Sequence, residues 1–172
     1  MDTTDSFRIV NEISTSLKDK NRILQSGVFD SCGHPLFKSA LIELLILARD
    51  LTHKSFKHGH EVAFTDDVNV TKKVSNVTML IKYARDAACH IDSDNHKSLE
   101  SNSLFSFNVA FGKSNFACIN GVKFSSKYAD DVCVFFGDQQ IYLQRHILKA
   151  IDEAERFLKE FYKTSQYAFF LQ

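Results

Sequence analysis

The sequence predicts a mainly α fold, a bundle of about four to five helices with a small antiparallel β-meander inserted before the last of them. Three observations predict it: apolar residues recur at steps of three and four over four segments, the period shortens to two after residue 104, and the pairs Asn120-Gly121 and Gly137-Asp138 punctuate that second region. Nothing in the 172 residues marks a boundary, so 1–172 reads as a single domain.

The first helix, about residues 4–25, carries Phe7, Val10, Ile13, Leu17 and Leu24 on one stripe, with Thr4 or Asp5 able to cap its start. "SGVFDSCGHP" follows as a loop that delivers Pro35 to the first turn of a second helix, about 36–57. There Leu41, Ile42, Leu44, Leu45, Ile46, Leu47 and Leu51 run almost all the way round, the pattern of a helix surrounded by others. A third helix, about 68–90, is drawn by Val70, Val74, Val77, Ile81, Ala84 and Ala88, and its small end (Ala84, Ala87, Ala88) lets a neighbouring helix or a second copy come close. The polar run "DSDNHKSLESNS" ends it. From about 104 to 143, Phe105, Phe107, Val109 and Phe111 alternate with smaller residues as a half-buried strand, and two turn signals continue the meander. The last helix, about 144–162, aligns Ile147, Leu148, Ile151, Ala154, Leu158 and Phe161.

Composition narrows the function. Twenty-one basic residues balance twenty-one acidic ones, so no global positive field advertises nucleic acid or an anionic membrane, although a local patch is allowed. Cys32, Cys89, Cys118 and Cys133 are scattered without a C-x-x-C pair, which reads as reduced thiols rather than a disulfide or zinc framework. The longest apolar run, "LIELLILA", is far short of the roughly 20 residues that span a bilayer, and the acidic N-terminus lacks the order of a signal peptide. The expectation is a cytoplasmic protein with no membrane partner, no metal and no cofactor.

Two stretches echo each other, "LARDLTH" and "YARDAACH". Arg49 and His53 are four apart, which places them about 40° apart on a helix and needs no function to explain it. Arg85 and His90 are five apart, about 140° round a regular helix, so they meet at one phosphate only if the helix ends near Cys89 or two chains bring two copies together. Such a meeting suits RNA cleavage through the 2′-hydroxyl: imidazole titrates near neutral pH and can move protons, while guanidinium stays charged and presents a planar fork to phosphate. Asp86 could orient either group.

"RDAACH", an Arg and His five apart with a polar residue directly after the Arg, resembles the R-x4-6-H signature of the HEPN superfamily, helical bundles that carry it near the end of a helix. From Val70 to Phe161 the order of motif helix, β insertion with "FNVAFGKSNF" and "INGVKF", and final "IYLQRHILKAIDEAERFLKE" helix is similar to a bacterial, partly plasmid-borne subgroup. The resemblance implies an HEPN-like bundle and a metal-independent endoribonuclease acting as a homodimer. Arg85 would stabilise the transition state, His90 would transfer protons and Asp86 would support them. It also implies a link to toxin or phage-defence systems and an antitoxin or other partner protein. The β insertion departs from the basic helical fold. The alternatives are a non-catalytic HEPN-like module for dimerisation or for nucleotide or partner binding, and a solvated helix end with Arg85 and His90 favoured by the helix dipole.

Other features are weaker. "HKSFKHGHE" gathers His53, Lys54, Lys57, His58 and His60 as a patch that could face RNA phosphates, with Lys82 a further candidate, or as an adventitious metal site with no complete ligand set. "FGKSN" with Lys113 lacks the rest of a P-loop. Phe105, Phe107 and Phe111 read as core before they read as a base-stacking platform.

Overall fold

The computed structural model describes residues 3–31 and 33–171, with side chains from Ser6 onward. The expected caps Thr4 and Asp5, and Cys32, lie outside the described side chains. Among the described residues four α-helices, α1 (Thr3–Gln25), α2 (Phe37–Lys57), α3 (Val77–Cys89) and α4 (Lys149–Phe161), accompany seven strands: β1 (Lys97–Ser98), β2 (Ser103–Leu104), β3 (Asn108–Phe111), β4 (Ser114–Ile119), β5 (Val122–Ser126), β6 (Val132–Phe136) and β7 (Gln139–Tyr142). The chain forms two compact units, Met1–Val62 with Ala150–Gln172, and Ala63–Lys149.

In the first unit α1 buries Val10, Ile13 and Leu17, and α2 buries Leu41, Leu44, Leu45, Ala48 and Leu51 completely. Ile46 and Phe56 stay exposed, so α2 is amphipathic rather than apolar all round. Ile151, Ala154 and Leu158 of α4 are also fully buried, and Lys20 of α1 reaches Glu155 of α4 at 2.9 Å.

The second unit corrects the expected architecture. The fold is mixed α/β, not a mainly α, HEPN-like bundle with a small meander before its last helix: three antiparallel sheets form, β1-β2, β3-β6-β7 and β4-β5. The polar run read as loop supplies a 3-10 turn (Asp94–His96), then β1 and β2. β4 and β5 fold on each other about Asn120-Gly121, whose φ values of 49° and 82° fit a tight hairpin, and so β3 pairs with β6 instead of its neighbour in sequence. All five residues of β6 are buried, as befits the central strand of its sheet. In β3 the phase is also reversed, since Ala110 is buried while Phe111 is exposed; Phe105, before the strand, packs in the core on Phe124 with ring centroids 4.3 Å apart.

α3 begins at Val77, later than the apolar stripe suggests. Asn76 accepts a hydrogen bond from the Met79 amide at 3.0 Å and caps the helix. Upstream, Thr71 and Val74 close a loop on themselves through the Thr71 N–H to Val74 carbonyl and Val74 N–H to Thr71 Oγ1 bonds, which leaves Val70 exposed. Downstream, a π-helical turn (Leu143–Leu148) leads into α4. Among the described residues no helix is long and apolar enough to cross a membrane.

Candidate functional site

α3 ends at Cys89. The following His90 has extended backbone (φ −118°, ψ 114°), and its amide still bonds the Asp86 carbonyl at 3.2 Å. The polar run that follows cannot prolong an apolar stripe, and Ser93 caps the next turn by accepting from the Asn95 amide. His90 is exposed, and its ring makes no hydrogen bond or ion pair with the described residues. Arg85 and Asp86 are part-buried, with 36% and 30% of their side chains exposed, and form an ion pair in which the Arg85 Nε and Nη2 groups both donate to Asp86 Oδ1. Two of the five guanidinium N–H donors are thus used and about three remain. Ala84 and Ala87 are buried within the chain, so the small face of α3 is not open to a second copy; Ile91, directly after His90, is 93% exposed.

The other candidates are dispersed. Lys54, Lys57 and His58 belong to the first unit and Lys82 to the second. The Lys54 ammonium is engaged by Asp50 and by Glu12 at 3.3 Å, leaving little for a phosphate. His58 accepts or donates to the Tyr162 hydroxyl at 2.8 Å and lies 4.5 Å from the Phe161 ring, and burial, then the Lys57 charge, push its pKa down. His60 pairs with Glu153 at 3.1 Å and stacks on Phe157. Burial, then Arg49 and Lys57, lower the pKa of His53. His58 and His60 tie the end of α2 to α4 and to Tyr162 just after it. Among the described residues no three His, Cys, Asp or Glu side chains converge as a metal site. Lys57 and Lys82 are exposed.

Comparison with protein-family models, with curated proteins and with solved structures finds no match.

The best-built polar cluster lies elsewhere in the second unit. The Asp131 side chain is fully buried and accepts from the amides of Val132 (2.8 Å), Gln144 (2.9 Å) and Arg145 (3.1 Å) and from Arg145 Nη1 (3.1 Å), so one carboxylate caps the π-helical turn. Arg145 also holds Asp130 and lies 3.7 Å over the Tyr128 ring. His146 is completely buried; Nδ1 accepts from the Tyr142 amide at 3.1 Å, so the proton sits on Nε2 and is donated to the Asp66 carbonyl at 2.9 Å. Burial pushes its pKa down and keeps it neutral, against the pull of the Asp66 carbonyl, Asp67 and Asp131. The only sequence signal was the pairing of "DD" with "QRH" across a turn, and nothing in their spacing foretells that they meet. Sealed and satisfied, the cluster is structural.

Proposed function

We propose that the chain cleaves RNA in the cytoplasm without a metal, with the HEPN-type motif residues Arg85, Asp86 and His90 of two copies facing one cleft. One observation supports the reading: α3 stops at Cys89 and His90 has extended backbone, so the regular helical step no longer fixes the angle between His90 and Arg85. The free ring of His90 supports a proton-transfer role, and the remaining Arg85 donors support binding of phosphate oxygens. Asp86 orients the guanidinium. Neutral His90 of one copy takes the 2′-hydroxyl proton as the oxygen attacks phosphorus; the second copy's His90, protonated, gives its proton to the departing 5′-oxygen. The products are a 2′,3′-cyclic phosphate and a free 5′-hydroxyl. Exposed Lys82, three residues before Arg85, is placed to steady the backbone. Activity of this kind inside a cell calls for restraint by a partner protein, in keeping with a toxin or phage-defence role.

The test is cleavage of end-labelled RNA by tag-free protein in EDTA, with the product ends identified. Arg85→Ala and His90→Ala should each lose roughly a hundredfold or more of the rate. Full activity of His90→Ala, or cleavage abolished by EDTA, overturns the reading. The Arg85–Asp86 ion pair favours one second reading, a non-catalytic module that dimerises or binds a partner. Both alanine variants would then leave the cellular phenotype intact.

A further inference from the structure

The last turn of α3 leaves backbone carbonyls without donors from the helix itself, and the chain that follows turns back to supply them. The His96 ring lies 2.7 Å from the Ala87 carbonyl; a carbonyl only accepts, so the proton sits on Nε2 and is donated there. One residue earlier, Asn95 Nδ2 donates to the Tyr83 carbonyl at 3.2 Å, and the Tyr83 hydroxyl donates back to the Asn95 carbonyl at 2.8 Å. Burial, then the Asp138 charge, push the Tyr83 pKa up to about 12, so its hydroxyl remains a donor. The returning chain is thus clipped to α3 at Tyr83 and Ala87, on either side of Arg85 in sequence.

The loop closed by these clips carries His90. The Ser93 amide donates to the His90 carbonyl at 3.2 Å, Ser93 Oγ accepts from the Asn95 amide at 3.3 Å, and the His96 amide donates to the Ser93 carbonyl at 3.1 Å. His96 is itself anchored: it is 8% exposed, and its carbonyl accepts from the amide of Phe105, a residue of the aromatic core, at 2.8 Å. The exposed ring of His90 has no hydrogen-bond partner among the described residues, so only its backbone can place it. Freed from the clips, the α3 carbonyls could take the next amides in line, and a helix wound on past His90 would turn it about 140° from Arg85.

We propose that His96 is a positioning residue for RNA cleavage: its buried ring, bonded to the Ala87 carbonyl, holds the chain that returns over α3 and so keeps His90 off the helix and fixed relative to Arg85. The inference rests on the cleavage reading for its effect on rate. The latch itself is a property of the free protein, and it is measured without RNA.

The experiment compares the full chain with His96→Ala, His96→Gln and Tyr83→Phe, by steady-state cleavage of end-labelled RNA and by amide hydrogen exchange followed by NMR. His96→Ala should lower kcat about a hundredfold, the effect of a misplacement of about 1 Å, and leave KM within about twofold, because the phosphate contacts belong to Arg85. His96→Gln, whose side-chain amide can donate to the same carbonyl, should return kcat to within about tenfold of the parent. In the absence of RNA, the His90 and Ser93 amides should exchange about tenfold faster in His96→Ala than in the parent or His96→Gln, while the Val134 amide of the central strand β6 keeps its protection. Tyr83→Phe keeps its ring and loses one clip, so it should shift exchange and kcat the same way by less, and it carries the comparison if His96→Ala does not fold. Unchanged exchange at His90 and Ser93, a loss in His96→Gln as deep as in His96→Ala, or a loss confined to KM overturns the proposal. A parent that cleaves no RNA overturns the cleavage reading and the effect on rate with it, and the exchange comparison then still decides whether His96 holds His90.

Discussion

Gly137→Ala should destabilise the chain for two separable reasons. Gly137 has φ +53°, a left-handed conformation that costs an alanine about 1–2 kcal/mol. A Cβ there would also meet the Asn95 carbonyl oxygen at 2.6 Å, the Lys97 carbonyl oxygen at 2.7 Å and the Tyr83 hydroxyl at 3.0 Å, so backbone must move, at a further cost of about 1–3 kcal/mol. Gly121→Ala is the internal control: φ is +82° but nothing lies within 4 Å of its Cβ position, so only the conformational part applies. For a chain of 172 residues each kcal/mol lowers Tm by about 2–4 °C. Gly121→Ala should therefore fall by roughly 2–8 °C, and Gly137→Ala by a further 2–12 °C, in thermal melts followed by far-UV circular dichroism. If Gly121→Ala falls as far as Gly137→Ala, the close packing of the β6–β7 turn under residues 95–97 is wrong.

Asp131→Asn keeps one acceptor and turns the other oxygen into a donor facing donors, so breaking this buried charge should cost about 3–5 kcal/mol; a urea midpoint shift worth under about 1 kcal/mol refutes the cap. His146, neutral when folded, has a pKa below its unfolded 6.5, so stability present above pH 6.5 is lost as pH falls toward the folded value, with a slope of at most about 1.4 kcal/mol per pH unit. His146→Gln, which does not titrate, should flatten urea midpoints between pH 7.5 and 5.5, while His53 and His58, also lowered, retain part of the slope; an unchanged slope sinks the assignment. Ile91→Glu, next to His90 and fully open to solvent, should convert a dimer to monomer in light scattering and abolish RNA cleavage with the helical signal intact; a dimer that survives it places the shared cleft elsewhere.

What the letters conveyed and what they withheld divide along range of interaction. The stripes in α1 and α4, and the turns at Asn120-Gly121 and Gly137-Asp138, are local codes, and each corresponds to an element of the structure. Strand partners are not local: β3 skips to β6 because the β4-β5 hairpin closes on itself, and no alternation in "FSFNVAF" encodes that. α3 starts later than its stripe suggests because Val70 keeps helical step with Val77 while Thr71 and Asn76 offer the backbone competing side-chain bonds. At the candidate site, the break after Cys89 follows from the polar run and the burial of Ala84 from its place on the apolar stripe; the Arg85–Asp86 pair does not, because it depends on rotamers.

The two Arg-Asp-His stretches now offer a sharper test than deletion. Arg49 and His53 lie within α2 in helical step, and Asp50 between them is spent on Lys54. Arg85 and His90 differ because α3 ends one residue before the histidine. The variant Cys89→His/His90→Ala moves the imidazole to an exposed position still on the helix, four residues from Arg85 and about 40° from it, which reproduces the arrangement in α2. Were proximity within one helix enough, this variant would cleave RNA as well as the parent. Because the proposed reaction needs an imidazole that has left the helix to reach a shared cleft, it should stay at the level of His90→Ala, with the same Tm as that variant. Recovery of parental activity would show that the fifth position, and the helix end that makes it usable, have no part in the chemistry.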